Sequence, residues 1–180
     1  LLAEMLYKLY TLPQLTIACV HGRAVGGGLG IAAACDYVIA QKASIFAFPE
    51  VRLGLTPATI APYVLDAIGK RAAKRYFQTG ESFTAEEALN LGLAHKLVAD
   101  QTDMETALGE LLEGVQTTGP NAVREAKKLC LDLADSKIDA DISRKTAKRL
   151  ASIRSGQEAR EGLNAFLAKR QPDFKSINND

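Results

Sequence analysis

The sequence predicts an α/β fold in which a strand-and-helix layer comes first and a helical region follows. Three observations carry this. The charge-free run LTIACV (15–20) has the composition of a buried strand. It is followed at once by a glycine-rich turn and by small apolar residues, VHGRAVGGGLG and then LGIAAACD, a sequence suited to a helix packed tightly on a sheet. Beyond residue 57, helix starts and stops recur to the end of the chain.

The elements can be justified in order. Leu2, Met5, Leu6 and Leu9 recur at helical spacing in LLAEMLYKLY, and Pro13 ends the pattern. The strand LTIACV, the glycine turn and the helix LGIAAACD come next, then short strands at YVIA (37–40) and SIFAF (44–48). Thr56 and Pro57 are placed as N-cap and first residue of a helix PATIAPYVLDAIG, with Gly69 as its stop. KRAAKRYFQTG continues as helix. Thr84 and Glu87 form a capping box for TAEEALNLG, which Gly92 closes. LAHKLV (93–98) has the pattern of a short strand, and METALGELLEGVQ, PNAVREAKKLCLDLAD and the run through QEAREGLNAFLAKR complete the helices. The expected organisation is a layer over 1–56 and a helical region over 57–180. The chain opens on Leu1, already inside an amphipathic pattern, and so reads as truncated.

Composition narrows the function classes. With 47% hydrophobic and 24% charged residues, the 180-residue chain suits one soluble domain, and a net charge of +1 leaves no basic footprint for nucleic acid or an anionic bilayer. No apolar run approaches the roughly 18 residues that a membrane span needs, and no signal-peptide pattern is present. Cys19, Cys35 and Cys130 are widely spaced and odd in number, which predicts buried reduced thiols and a cytoplasmic location. His21 and His95 are the only histidines, so no metal site is expected; His21 is read as a packed strand-end residue.

The glycines admit three readings. A dinucleotide fingerprint fails on spacing, since Gly26 and Gly28 would need a glycine at position 31, which is Ile31; a Walker loop fails for want of its G-K-[ST] ending. Close helix-on-strand packing suits Gly22, Gly26 and Gly30. For Gly27 and Gly28 a sharper reading stands: a turn into a helix N-terminus leaves backbone N–H groups free to hold an anion. If that anion is a developing enolate the turn is an oxyanion hole, where losing one donor costs about 3–4 kcal/mol of barrier.

Such a cradle needs a general acid or base nearby. Glu50 in IFAFPEVRLGLTP stands among Phe46, Phe48, Pro49, Val51 and Leu53, and a poorly solvated carboxyl there suits moving a proton to or from carbon. The alternative is that Glu50 merely caps, or pairs with Arg52 on the surface.

Four motifs now fall in order: GRAVGGGLGIAAACD, PEVRLGLTP, TGESFTAEEALNLGLAHKLV and EGLNAFLAKRQPDF. Together, over essentially the whole chain, they resemble the enoyl-CoA hydratase/isomerase (crotonase) superfamily. The resemblance implies a partial spiral of ββα units followed by an all-helical C-terminal region that assembles homotrimers or dimers of trimers. It implies an acyl-CoA thioester as substrate, with coenzyme A arriving as part of it and no separate cofactor. Gly27 corresponds to one of two N–H donors for the thioester oxygen, the other belonging to a preceding N-terminal third. Ala24, Gly26, Gly28, Gly30, Pro49 and Pro57 fall along the acyl-CoA pocket, and Phe166 and Lys169 match positions that reach the adenine region of a neighbouring subunit.

Hydratases of this superfamily carry two glutamates. One corresponds to Glu50; the other corresponds to Gly30, which has no side chain. Isomerases of the superfamily work with the Glu50 position alone. PATIAPYVLDAIGKRAAKRYF is similar to the bacterial methylglutaconyl-CoA and carboxygeranoyl-CoA hydratase branch, which acts on branched, carboxylated enoyl-CoAs in leucine and terpenoid breakdown. The order of expectation is hydration, then isomerisation by Glu50 alone, then an inactive trimerising scaffold. Asp36 is read as a structural turn or cap acid, and Lys70, Arg71, Lys74 and Arg75 as a solvated face, with CoA phosphates as the alternative.

Overall fold

The computed structural model describes residues 1–179, which form two compact units, Leu1–Glu110 and a second from Leu111 onward. The first unit repeats one pattern: a strand for one sheet, a strand for another, then a helix. Helix α1 (Leu2–Thr11) leads into β1 (Ile17–Val20), β2 (Arg23–Val25) and α2 (Gly27–Ala33). Strands β3 (Tyr37–Gln41) and β4 (Ile45–Ala47), a 3-10 turn over Pro49–Leu53 and α3 (Ala61–Thr79) repeat the sequence of events. Strand β5 (Ser82–Thr84), α4 (Ala85–Asn90), β6 (Lys96–Val98) and α5 (Gln101–Gln116) follow. One sheet has the order β1-β3-β6, all parallel; the other has β2-β4-β5, with β2 and β4 parallel and β5 antiparallel.

Several sequence expectations shift here for physical reasons. LTIACV does not run straight into the glycine turn: Gly22, at φ 68°, turns the chain, and β2 joins the second sheet before α2 begins. The Thr56–Pro57 helix start moves to Ala61, because Pro62 also lacks an N–H and fits only in a first turn. Gly69 does break the helix, with φ 73° and ψ 156° inside α3. The region beyond 57 is not wholly helical, since β5 and β6 each supply a sheet with its last strand. SFT has only Phe83 to mark it, too little for alternation to reveal a strand.

The cysteines are free thiols, but Cys19 and Cys130 are exposed and Cys35 is half-buried, against the expectation of burial. Side chains alternate along a strand, so burial of Val20 in β1 turns Cys19 outward. His21 is exposed as well, because the chain is already turning at Gly22.

The core of this unit gathers Leu6, Leu29, Val38, Phe46, Phe48, Val64, Tyr76 and Leu93, all essentially without solvent exposure. Ala32, Ala33 and Ala34 are the small buried residues that let α2 lie close to its neighbours. Tyr76 and Phe83 pack with tilted rings at 4.4 Å between centroids, and Phe48 meets Phe77 edge-on at 5.0 Å. Asp36 is the structural acid expected: it accepts hydrogen bonds from the Thr16 backbone N–H at 2.8 Å and hydroxyl at 2.9 Å, joining the starts of β1 and β3. At the start of β6, His95 donates its backbone N–H to the Val38 carbonyl at 2.8 Å, while its ring Nδ1 accepts from the Val38 N–H at 3.0 Å. Thr84 caps α4 by accepting from the Glu87 N–H, but the Glu87 carboxylate does not complete the box; it accepts from the Tyr76 hydroxyl at 2.9 Å.

The second unit contains α6 (Pro120–Leu133), α7 (Ala140–Arg154) and α8 (Gln157–Leu167). Arg149 on α7 bridges Glu125 at 3.0 Å and Asp132 at 2.8 Å on α6. Glu158 on α8 accepts from the Asn121 and Ala122 N–H groups, capping α6 from a distance in sequence. Glu161 binds Arg170 and the Asp173 N–H, and the guanidinium, with that N–H, pulls its carboxyl down to about 2.

Candidate active site

Helix α2 begins where β2 ends, and Gly26 makes the corner. Its φ of 53° and ψ of −120° suit glycine, and its N–H donates to the Ala47 carbonyl at 3.0 Å, tying the corner to β4. Gly27 and Gly28 are the first two helical residues, so no carbonyl of their own helix precedes them to accept their N–H groups. Gly28 is exposed, with nothing within 4 Å of where a Cβ would stand; Gly27 is half-buried, 3.9 Å by the same measure from Leu2 of α1.

Glu50 approaches this corner from the other side. Phe48, fully buried, anchors the end of β4, and Pro49 starts the 3-10 turn that carries Glu50. The Glu50 Oε1 lies 3.0 Å from the position a Cβ would take on Gly26, so glycine there makes room for the carboxyl. Its Oε2 is buried and, among the described residues, has no hydrogen-bond partner. Buried acceptors of this kind are rare because desolvation without a partner is costly, and functional sites are where they persist. The alternative surface pair with Arg52 is not formed: the Arg52 side chain lies against Gly80, its Nε 3.1 Å from where a Cβ would stand.

Gly30 stands one turn into α2, its N–H donating to the Gly26 carbonyl at 3.0 Å. It is buried, and a Cβ added to it would fall 2.1 Å from Cγ2 of Ile60, itself 2% exposed. The position that the resemblance pairs with a second glutamate is therefore occupied by the side chain of Ile60. No spacing rule links residues 30 and 60, which is why the sequence did not reveal this contact.

The remaining candidates fall in different surroundings. Ala24 belongs to the hydrophobic core, Pro49 is half-buried and Pro57 is buried. Lys70, Arg71, Lys74 and Arg75 are exposed along an open concavity of about 850 Å³ that Ile68 and Ala72 also line. Arg75 is already engaged with Glu81 at 2.7 Å and lies over the Tyr76 ring. Phe166 and Lys169 belong to the second unit, Phe166 79% exposed on α8 and Lys169 at φ 53° just after it. Among the described residues there is no group of three or more metal-ligating side chains, and no helix is long and apolar enough to cross a membrane.

A glycine corner facing a buried carboxylate, within a repeat of two strands and a helix, has clear relatives. Residues 2–178 match the Enoyl-CoA hydratase/isomerase family. The chain belongs to that family. It is 33% identical over 161 residues to the 2,3-dehydroadipyl-CoA hydratase of Escherichia coli, covering 88% of this chain and 62% of that protein. It is 33% identical over 178 residues to an enoyl-CoA isomerase/hydratase of Mycosarcoma maydis, covering 96% and 63%. The crystal structure of an enoyl-CoA hydratase from Shewanella pealeana superposes with a TM-score of 0.90 at 39% identity, covering 96% of this chain and 64% of that one. The chain thus spans just under two thirds of the length of these family members. The fold of the family, α/β with a helical C-terminal region, is the one expected from the motifs.

Proposed function

We propose that the whole protein acts on an enoyl-CoA thioester, with Glu50 as the carboxylate that moves the proton. The observation that supports this most is the buried, unpartnered Glu50 Oε2 on a carboxyl lodged against Gly26, immediately before the free N–H groups of α2. On this reading the Gly27 N–H helps hold the thioester oxygen as negative charge develops on it, and a second donor comes from outside these 180 residues. Coenzyme A enters as part of the substrate, and no other cofactor is required.

Water addition to the conjugated double bond is the first reading, in keeping with the names of two of the family members compared above. The second is migration of the double bond by Glu50 alone, favoured by the filling of the Gly30 position by Ile60. The acyl group is placed among branched, carboxylated chains, on the strength of PATIAPYVLDAIGKRAAKRYF. Assembly as a homotrimer or dimer of trimers fits the exposed Ile138, Leu150, Phe166 and Leu167 of the second unit, and a cytoplasmic location goes with the reading as a soluble thioester enzyme.

Replacing Glu50 by Gln in the full-length protein tests the reading. General acid–base contributions run to about 10²–10⁴-fold, so Glu50→Gln should lose at least 100-fold on crotonyl-CoA hydration or 3-hexenoyl-CoA isomerisation. A variant of undiminished activity refutes the role.

A further inference from the structure

We infer that the concavity lined by Lys70, Arg71 and Lys74 is a second binding site, one for a small molecule that carries two or three linked phosphates. This goes beyond the reading of Glu50 and does not depend on it. The concavity spans about 850 Å³, inside the range of roughly 300–1,000 Å³ usual for small-molecule sites. Its lining holds four cations, Arg75 being the fourth, and no acid, while Ile68, 7% exposed, and Ala72 make an apolar floor. Charges of one sign over a low-dielectric wall focus the field into the cleft and draw an anion there.

Pairing separates these cations from one another. Arg75 holds Glu81 at 2.7 Å, and elsewhere in the same unit Lys8 and Lys96 each hold a carboxylate at 2.9 Å. Lys70, Arg71 and Lys74 are exposed and have no such partner among the described residues. Asp66, four residues before Lys70, lies beyond the helix break at Gly69 and accepts instead from the Tyr10 hydroxyl at 2.9 Å. Lys70 and Lys74 stand one turn apart on α3, where like charges repel, so the fold keeps them together at a small cost. Three positive charges therefore face one concavity with nothing from the described chain to neutralise them.

The size of that charge selects the ligand. A single phosphate group carries about −1.5 to −2 at neutral pH, too little for three cations, whereas two or three linked phosphates bring roughly −3 or more. The Cβ atoms of Lys70 and Lys74 are about 5–6 Å apart, and their flexible stems let both ammonium groups converge on neighbouring phosphates. Arg71 adds a planar fork that pairs with two phosphate oxygens at once. A nucleic-acid strand fits less well. The patch runs little more than one helical turn and no aromatic ring among the described residues lines it for a base to stack on, whereas single-strand sites extend over about 4–16 nucleotides. The patch also stands apart from the Glu50 corner. From Lys70 to Gly80 the helix rises about 15 Å, and it is at the Gly80 end that the side chain of Arg52, two residues from Glu50, packs against it.

The test titrates the full-length protein with inorganic tripolyphosphate by calorimetry, in saturating coenzyme A so that an acyl-CoA pocket is not what is read. The expected result is one tripolyphosphate per subunit, with inorganic phosphate binding at least tenfold more weakly. Lys70→Ala/Lys74→Ala should weaken tripolyphosphate at least tenfold, and Arg71→Ala should do the same. Lys145→Ala/Lys148→Ala removes the same charge from exposed positions of α7 and should change the affinity less than twofold. All five side chains are exposed, so the variants should keep the parent's Tm, which unfolding curves check. Absence of saturable tripolyphosphate binding overturns the inference, as does a loss shared equally by the α7 control. Binding that appears only when coenzyme A is left out also overturns it, because the phosphates then occupy the acyl-CoA pocket. So does a hexaglutamate peptide or an oligoadenylate that binds more tightly than tripolyphosphate, since the patch would then read an acidic peptide or a nucleic acid.

Discussion

Gly30→Ala is the substitution whose effect the geometry determines most directly. The new Cβ would stand 2.1 Å from Cγ2 and 2.7 Å from Cβ of Ile60, whereas carbon atoms in contact rest about 3.5–4.0 Å apart. More than an ångström of overlap must be relieved. The offending atoms are at the root of the Ile60 side chain, so no rotation about its outer bonds removes them and either α2 or the start of α3 must shift. Overpacking of a core by one methyl group typically costs about 1–3 kcal/mol, occasionally more, and an overlap of this size belongs at the upper end. Against it stands the gain of about 1 kcal/mol from replacing glycine by alanine within a helix. The net expectation is a destabilisation of about 2 kcal/mol, or a fall of about 4–8 °C in Tm for a protein of this size. Thermal or urea unfolding of the full-length protein measures it. Ile60→Ala in the same background should recover part of the loss, giving a coupling of at least about 1 kcal/mol in a double-mutant cycle. A Gly30→Ala protein as stable as its parent, or singles that simply add, would refute the reasoning.

Gly26→Ala should act on activity, since its Cβ would press on Glu50 Oε1 at 3.0 Å in a backbone that has φ 53°. We expect at least a tenfold fall in kcat, together with about 1–3 kcal/mol of strain visible in unfolding. In the second unit, Glu161 is an acid whose folded pKa, about 2, is depressed by its hydrogen bonds to Arg170 and to the Asp173 N–H. Its stabilising contribution is therefore present above its ordinary value of 4.5 and is lost as pH falls through about 2. Glu161→Gln should flatten the acid limb of a Tm against pH curve between those values; an unchanged slope would show that the ion pair carries no pH-dependent stability.

How legible these features were depends on the distance in sequence over which each is encoded. Glycines 26–28 and Glu50 were readable because each sits in a short motif with its own local logic, a corner before a helix and a carboxyl among apolar neighbours. Helix stops at Gly69 and Gly92 were readable for the same reason. The helix start assigned to Thr56 and Pro57 moved because a second proline five residues on makes a competing local claim, and only packing decides between them. Strand β5 was invisible because three residues with one aromatic carry no periodicity; it exists by pairing with β4. Cys19 and His21 were misjudged because an apolar run does not say which face of its strand is covered. Ile60 was beyond reach altogether, since its meaning lies in a contact with a residue thirty positions earlier.

The paired bonds between His95 and Val38 have a consequence for the order of the first sheet. A parallel strand can usually slide by two residues and keep the same side chains inward, because every step of the backbone ladder looks alike. Here the first rung is made by an imidazole, which only one position of β6 can supply. A slipped sheet would strand that ring and leave the Val38 N–H with no acceptor of its kind. The side chain thus works as a keyed tooth at the end of the ladder.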